Sequence, residues 1–383
     1  MDNIKKKPKQ KQNEFVRLIK AIPSADFLLT IFVVILAIFG LIMIFSASYY
    51  DSISNDEKFY TFFTKHLIFL ILGGVIMYML SIINCDIYKK LAPTIYAVSL
   101  LLFILMYYGG LGKEVNGSVR WLVIGPITIM PGEIAKLAII IFSAWFLARR
   151  NDLVNLFTRG LLPLSALCGI IIGLVAKENM STAITLIMIF GCILIVAGLE
   201  KKYMIGILII AIAGTGLMLL NGESYRWDRI LSFTDPFAYR QDQGLQVVQG
   251  LIALGTGGLF GVGLGDSVQK TSYLPYPHND FILAIIGEEL GFIGIASLML
   301  LYCLIVWRCI KIGMETEDLY SKLLVAGITG MIASQVVLNI AVVTSSIPPT
   351  GVILPLVSYG GNATWIFMAS FGIILNISRR NKK

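Results

Sequence analysis

The sequence predicts an all-α polytopic membrane protein of about ten transmembrane helices, with a large, partly re-entrant loop between the seventh and eighth. Three observations predict it. The chain of 383 residues is 57% hydrophobic and only 14% charged, a balance no ordinary soluble globule has. Its apolar runs reach about 17 to 25 residues, the length a helix needs to cross the hydrocarbon. Finally, with an inner N-terminus, roughly two thirds of the 31 Lys and Arg residues fall on inner segments, which is the bias of membrane insertion.

A basic tail, residues 1–26, precedes a transmembrane domain at 27–376, and a second basic tail occupies 377–383. The first span, 27–48, follows the basic start by some twenty residues and is expected to stay as an anchor rather than be cleaved. Spans at 66–83 and 91–108 enclose Lys89 and Lys90. The fourth, 133–148, is short and stops at Arg149 and Arg150. The fifth and sixth, 161–176 and 181–199, are joined on the outer side, and Lys201 and Lys202 lead into the seventh, 203–220. A long eighth span, 281–307, ends at Arg308, and the ninth and tenth cover 323–345 and 352–376. Both termini are thereby placed in the cytoplasm, and the basic net charge of +8 reads as topology, not as a nucleic-acid surface.

Function is expected in the two long outer loops, 109–132 and 221–280, because short connections only reverse the chain. The first, around Arg120 and Trp121, reads as a segment lying at the interface or dipping into it. The second contains "GLQVVQGLIALGTGGLFGVGLG", read as a re-entrant or surface helix and a glycine turn. That run has neither the spacing of a dinucleotide loop nor a G-K-[ST] ending, so its glycines are assigned to close backbone approach rather than to phosphate. The five cysteines form no C-x-x-C, which indicates neither a disulfide framework nor a metal cluster.

Ionisable residues at membrane depth are costly and mark the candidate chemistry. Glu133 and Lys136, three apart, face one side of the fourth span. They read either as an internal ion pair or as the charged wall of a substrate cavity. Asp280 stands just ahead of the eighth span, as a helix cap with Asn279 or as a reactive carboxylate, with His278 a candidate tuning partner. Glu288 and Glu289 lie deeper, Glu288 by about 12 Å, and read as packing or cavity-lining groups.

The stretch "FTDPFAYRQDQGLQVVQGLIALGTGGLFGVGLGDSVQKTSYLPYPHNDFILAIIGEELGFIG", followed by "IPPTGVILPLVSYGG", resembles the SEDS membrane proteins, the group of FtsW, RodA and SpoVE. "GSVRWLVIGPITIMPGEIAKLA" and "NMSTAI" resemble the same family in the same order, and "GDSVQKTSYLPYPHNDFI" is more similar to the FtsW and SpoVE branch. The resemblance implies a ten-helix glycosyltransferase of the bacterial cytoplasmic membrane. Such an enzyme polymerises lipid II, the undecaprenyl-diphosphate-linked disaccharide peptide, into peptidoglycan at the outer face for division or sporulation. It implies a class B penicillin-binding protein and other division membrane proteins as partners. The family's essential aspartate falls on Asp280 and its Glu-Lys pair on Glu133 and Lys136. This sequence departs from the pattern at Tyr276, at Asn362 and Ala363, and at Glu178.

The implied reaction needs a base for a sugar hydroxyl, for which Asp280 is the candidate, and cations for a departing diphosphate. Arg120, Lys136, Arg226 and Arg229 are the outer-side candidates. His278 and Ser358 complete the expected substrate-binding set. Mg2+ or Mn2+ on the diphosphate fits this chemistry, although no ligand cluster in the sequence calls for it. A lipid II flippase and a non-catalytic division scaffold are the alternatives, since either also accommodates ten helices and intramembrane charge.

Overall fold

The computed structural model describes residues 25–54, 58–115, 118–150, 152, 154–220, 233–239, 244–271 and 273–381. Among them run α1 (Phe27–Ser54), α2 (Thr61–Ile82), α3 (Cys85–Tyr108), β1 (Gly112–Val115), β2 (Ser118–Ile124), β3 (Ile127–Ile129), α4 (Pro131–Arg149), α5 (Leu162–Glu178), α6 (Met180–Val196), α7 (Lys201–Leu220), α8 (Leu245–Gly257), α9 (Ile282–Met314), α10 (Leu319–Val343) and α11 (Gly361–Arg380). Each of the ten predicted spans coincides with one of these helices, and α8 is the re-entrant element of the large loop. Eight are long and apolar enough to cross a membrane, while α6 is shorter at 17 residues. The protein is a multi-pass membrane protein.

Burial sorts the helices into an inner and an outer set. In α4 and α11, 78% of the most apolar window is buried inside the protein and in α10 72%, against 22% in α2. The first three therefore make the core and α2 faces lipid. At the end of the bundle away from the large loops, Asp26 caps α1 by accepting from Leu29 N at 2.9 Å and also accepts from Arg308 Nε at 2.9 and 3.0 Å. Asn376 of α11 donates to Ser81 O and Ile83 O, covering carbonyls that the end of α2 leaves open.

The decisive irregularity is in α9. Gly291, at φ +66°, breaks the helix about 14 Å below its start, at about 1.5 Å per residue. Two helical hydrogen bonds are thereby lost, those from Phe292 N to Glu288 O and from Ile293 N to Glu289 O. The segment after α8 replaces them: Phe292 N donates to Gly258 O (2.9 Å), Ile293 N to Leu259 O (3.2 Å), Val262 N to Glu288 O (2.9 Å) and Gly263 N to Glu289 O (3.1 Å). All four orphaned groups are satisfied, as lipid requires. The glycine run of the sequence is what lets the loop come this close: a β-carbon on Gly261, at φ +81°, would stand 2.1 Å from Glu289 O.

One element goes beyond the expectations and one boundary is corrected. The loop 109–132, for which the sequence reading named no secondary structure, has one of its own. It forms a three-stranded antiparallel sheet in the order β1-β2-β3. Val, Ile, Trp and Thr in "SVRWLVIGPITI" favour extended backbone, and Gly125, at φ +58°, makes the turn between β2 and β3. The tenth span begins at Gly361 rather than 352, since the preceding residues fold into an irregular segment held to α9 and α10.

Substitution Gly261→Ala is expected to lower the melting temperature of the detergent-solubilised protein markedly, at a cost of at least about 2 kcal/mol. Gly255→Ala, in the same glycine run but facing open space within α8, should leave it unchanged or raise it.

Candidate functional site

Asp280 sits at the head of α9 on the large-loop face, half-buried. It is not the helix cap, because the capping position falls on Phe281, whose side chain has no oxygen to offer. Gln246 of α8 donates to its Oδ1 at 3.3 Å and to Pro275 O at 3.4 Å. Asn339, buried in α10, donates to the Asp280 backbone oxygen at 2.8 Å and to Val352 O at 2.6 Å, tying the start of α9 to the segment before α11. Gly351 passes beside the carboxylate: a β-carbon built on it would lie 3.7 Å from Asp280 Oδ2. Gln246 thus gives the half-buried carboxylate one neutral donor, while Asn339 holds its backbone.

His278 does not tune Asp280. It turns the other way, packing on Phe62 (ring centroids 4.3 Å) and Tyr359 (5.6 Å), with Nδ1 3.7 Å from Asp51 Oδ2 and no hydrogen-bond partner. Burial pushes its pKa down to about 4, so the imidazole is neutral at neutral pH. It lines a cavity of about 540 Å³ together with Asp51, Phe62, Tyr276, Asn279 and Tyr359. Asn279 belongs to this cavity and Asp280 adjoins it in the chain.

Glu133 and Lys136 form a buried ion pair within α4, Nζ to Oε1 2.7 Å, with Lys136 1% exposed. A path of contacts leads from this pair to Asp280: Gly132 packs on Thr182, neighbouring Ser181 donates to Thr350 O, and Gly351 adjoins the carboxylate. Glu133 Oε2 has no partner.

The deeper carboxylates hold the loop in place. Glu288 accepts from Ser267 Oγ at 2.5 Å and from Val268 N at 3.0 Å. Glu289 meets Lys270 Nζ at 2.6 Å and Ser46 Oγ at 2.7 Å, all three groups buried. Neither lines the cavity, which corrects that half of the expectation. Lys270, which the sequence reading passed over, lies in a loop by sequence and in the core by structure.

Arg120 donates from Nε to Glu178 O at 3.0 Å, a cation on the last carbonyls of α5, while Glu178 accepts from Val119 N at 2.9 Å. Ser358 is buried and its hydroxyl accepts from Leu354 N at 2.8 Å, closing a turn. Asn362 donates to Thr128 O and fastens β3 to α11. Arg226 and Arg229 lie outside the described residues. Among the described residues no group of three or more His, Cys, Asp or Glu side chains gathers to hold a metal.

A family model described as "Cell cycle protein", that of FtsW, RodA and SpoVE, matches residues 26–383. This chain belongs to that family. It is 33% identical over 365 residues to "Probable peptidoglycan glycosyltransferase FtsW" of Geobacter sp. (strain M18), covering 94% of this chain and 98% of that one. To "Stage V sporulation protein E" of Bacillus subtilis (strain 168) it is 36% identical over 362 residues, with the same coverage of both. A solved chain described under "Structural coordination of polymerization and crosslinking by a peptidoglycan synthase complex" superposes with a TM-score of 0.77 at 25% identity, covering 94% of this chain and 99% of that one. The rod shape determining protein RodA of Thermus thermophilus superposes at 0.68 with 24% identity, over 94% and 98% of the two chains. Similarity to FtsW and SpoVE places the chain in that branch of the family.

Within this family member, Arg120 and Glu178 act as a reciprocal clasp between β2 and α5. Glu178→Ala is expected to leave the helices intact and to speed hydrogen exchange at the Val119 amide by about tenfold or more, read by mass spectrometry of the solubilised protein.

Proposed function

We propose that this protein is a peptidoglycan glycosyltransferase that joins lipid II units at the outer face of the bacterial cytoplasmic membrane, with both termini in the cytoplasm. The observation that carries the reading is the half-buried Asp280, its carboxylate met by Gln246 and its backbone held by Asn339, next in the chain to a cavity, in a member of the FtsW, RodA and SpoVE family. The inner assignment of the basic termini follows the positive-inside rule.

In the proposed reaction the C4 hydroxyl of an acceptor N-acetylglucosamine attacks C1 of a donor N-acetylmuramic acid. Asp280 takes the hydroxyl proton, the bond from C1 to the diphosphate oxygen breaks, and undecaprenyl diphosphate leaves. An α-linked donor yields a β-linked product by one inverting displacement, so one base suffices. General-base assistance of this kind contributes about 10² to 10⁴-fold. Gln246 orients the base without neutralising it. Charge on the leaving diphosphate falls to Arg226 and Arg229, with Arg120 of β2; a divalent cation would supply the same charge stabilisation, the diphosphate oxygens being ligands of the kind Mg2+ takes.

Glu133 and Lys136 are read as positioning residues. Their buried pair sets the α4 terminus on which Thr182, Ser181 and Thr350 pack, and thereby the wall beside Asp280. The partner is proposed to be a class B penicillin-binding protein, a reading supported by the likeness to a chain from a complex of polymerisation and crosslinking.

With purified protein, its partner and lipid II, Asp280→Asn should cut glycan-strand formation at least about a hundredfold while the melting temperature holds. Undiminished polymer overturns the base assignment, and lipid scrambling by a wild type that makes no polymer favours a flippase. Lys136→Met should destabilise the protein by several kcal/mol, about 3 to 5, because it strands Glu133 in the core. The double variant with Glu133→Gln should recover most of that stability.

A further inference from the structure

We infer that the end of the bundle away from the large loops carries a binding site for the phosphate of an acidic phospholipid, where the α4–α5 connection meets the α6–α7 connection. The site lies at the opposite end of the protein from Asp280, and the inference is independent of the chemistry proposed there.

Three features carry it. The first is that two connections distant in the chain are stitched into one surface. Asn155 donates to Gly198 O at 3.3 Å and accepts from Glu200 N at 2.9 Å, and the rings of Phe157 and Tyr203 stack with centroids 6.1 Å apart. Arg159, two residues beyond Phe157, thereby shares a surface with Lys201 and Lys202, which directly precede Tyr203. Arg149 and Arg150 end α4 just ahead of it.

The second feature is charge left uncompensated. Arg149, Arg150, Arg159, Lys201 and Lys202 are all exposed, and the acidic residues on the same connections are Asp152 and Glu200. Glu200 pairs with Lys202 at 2.6 Å. Arg149 and Arg150 lie over the rings of Trp145 and Phe146, a stacking that leaves the edges of a guanidinium free to donate to phosphate. α7 begins at Lys201 with no acidic residue in its first turn, so the positive end of its dipole adds to the field. Elsewhere at this end the cations are countered: Arg308 is held by Asp26, Arg380 stands 4.0 Å from Asp86, and Glu315, Glu317 and Asp318 join α9 to α10. Positive charge needed only for topology has no reason to collect at one corner.

The third feature selects a lipid over a soluble anion. The wide turn Phe157–Leu161, in which Leu162 N donates to Phe157 O, carries Arg159 between apolar side chains. Leu156, Phe157 and Leu162 are each about half exposed. Apolar side chains beside a row of cations match a phospholipid, whose phosphate lies at headgroup level with its acyl chains directly beneath. A soluble phosphate ester would use the charges alone.

The test uses the full chain in detergent and native mass spectrometry, titrating dioleoyl phosphatidylglycerol against dioleoyl phosphatidylcholine. The wild type should hold the acidic lipid at least about tenfold more tightly. Arg150→Gln, Arg159→Gln and Lys201→Gln combined should cut the affinity for phosphatidylglycerol about tenfold or more and leave that for phosphatidylcholine within about twofold. Lys90→Gln, Lys311→Gln and Lys322→Gln combined remove the same charge from the same end of the protein and should cost less than about threefold. No preference in the wild type, or equal losses from the two triple variants, overturns the site. Glycerol 3-phosphate at the concentration of the lipid should displace none of it, and displacement overturns the assignment to a lipid. Should the first triple variant fail to fold, Arg159→Gln and Lys201→Gln singly decide: a loss of about threefold from either supports the site, and no loss from both overturns it.

Discussion

The architecture depends on one constraint, the satisfaction of every backbone group at the break in α9. A broken helix in lipid leaves donors and acceptors with no water to turn to, and each such group costs several kcal/mol. Here Gly291 opens two helical bonds and residues 258–263 supply four replacements. The exchange fixes the depth to which the large loop enters, and through it the course of α8 alongside the first half of α9. Gln246 at the top of α8 then reaches Asp280 at the top of α9. A backbone requirement in the interior thus orients a side chain at the surface.

The same region sorts its carboxylates by the company they keep. Glu289 is neutralised by Lys270, and Glu288 is met by a hydroxyl and backbone amides, so both are spent on holding the loop. Glu133 is matched by Lys136. Asp280 receives a hydrogen bond from the neutral side chain of Gln246 and is half-buried at the head of α9. The acidic group suited to base chemistry is the one the fold places at the edge of the membrane domain.

Much of this was legible in the sequence. The ten spans, the re-entrant helix and the role of the glycine run follow from hydropathy and from what glycine permits, and these act locally. The sheet of residues 112–129 was missed because apolar content near a membrane was weighed above the β-branched pattern that "SVRWLVIGPITI" carries. The partners of the site were not legible at all. Lys270 meets Glu289 and Ser46, Asn339 meets Asp280 and Val352, and His278 meets Asp51, each pairing set by packing between elements distant in the chain. Ser358 adds a local bond that its sequence neighbourhood did not announce, accepting from Leu354 N in its own turn.

The order of elements along the chain gives the break in α9 a further meaning. Residues 258–263 precede α9, so during synthesis they emerge before the helix they complete. When Gly291 enters the bilayer, the segment that will take up the open amides and carbonyls around it already exists on the preceding stretch of chain. With the order reversed, a half-inserted helix would have waited in lipid for a partner still being made. The broken span is therefore compatible with insertion from the N-terminus onward, one element at a time.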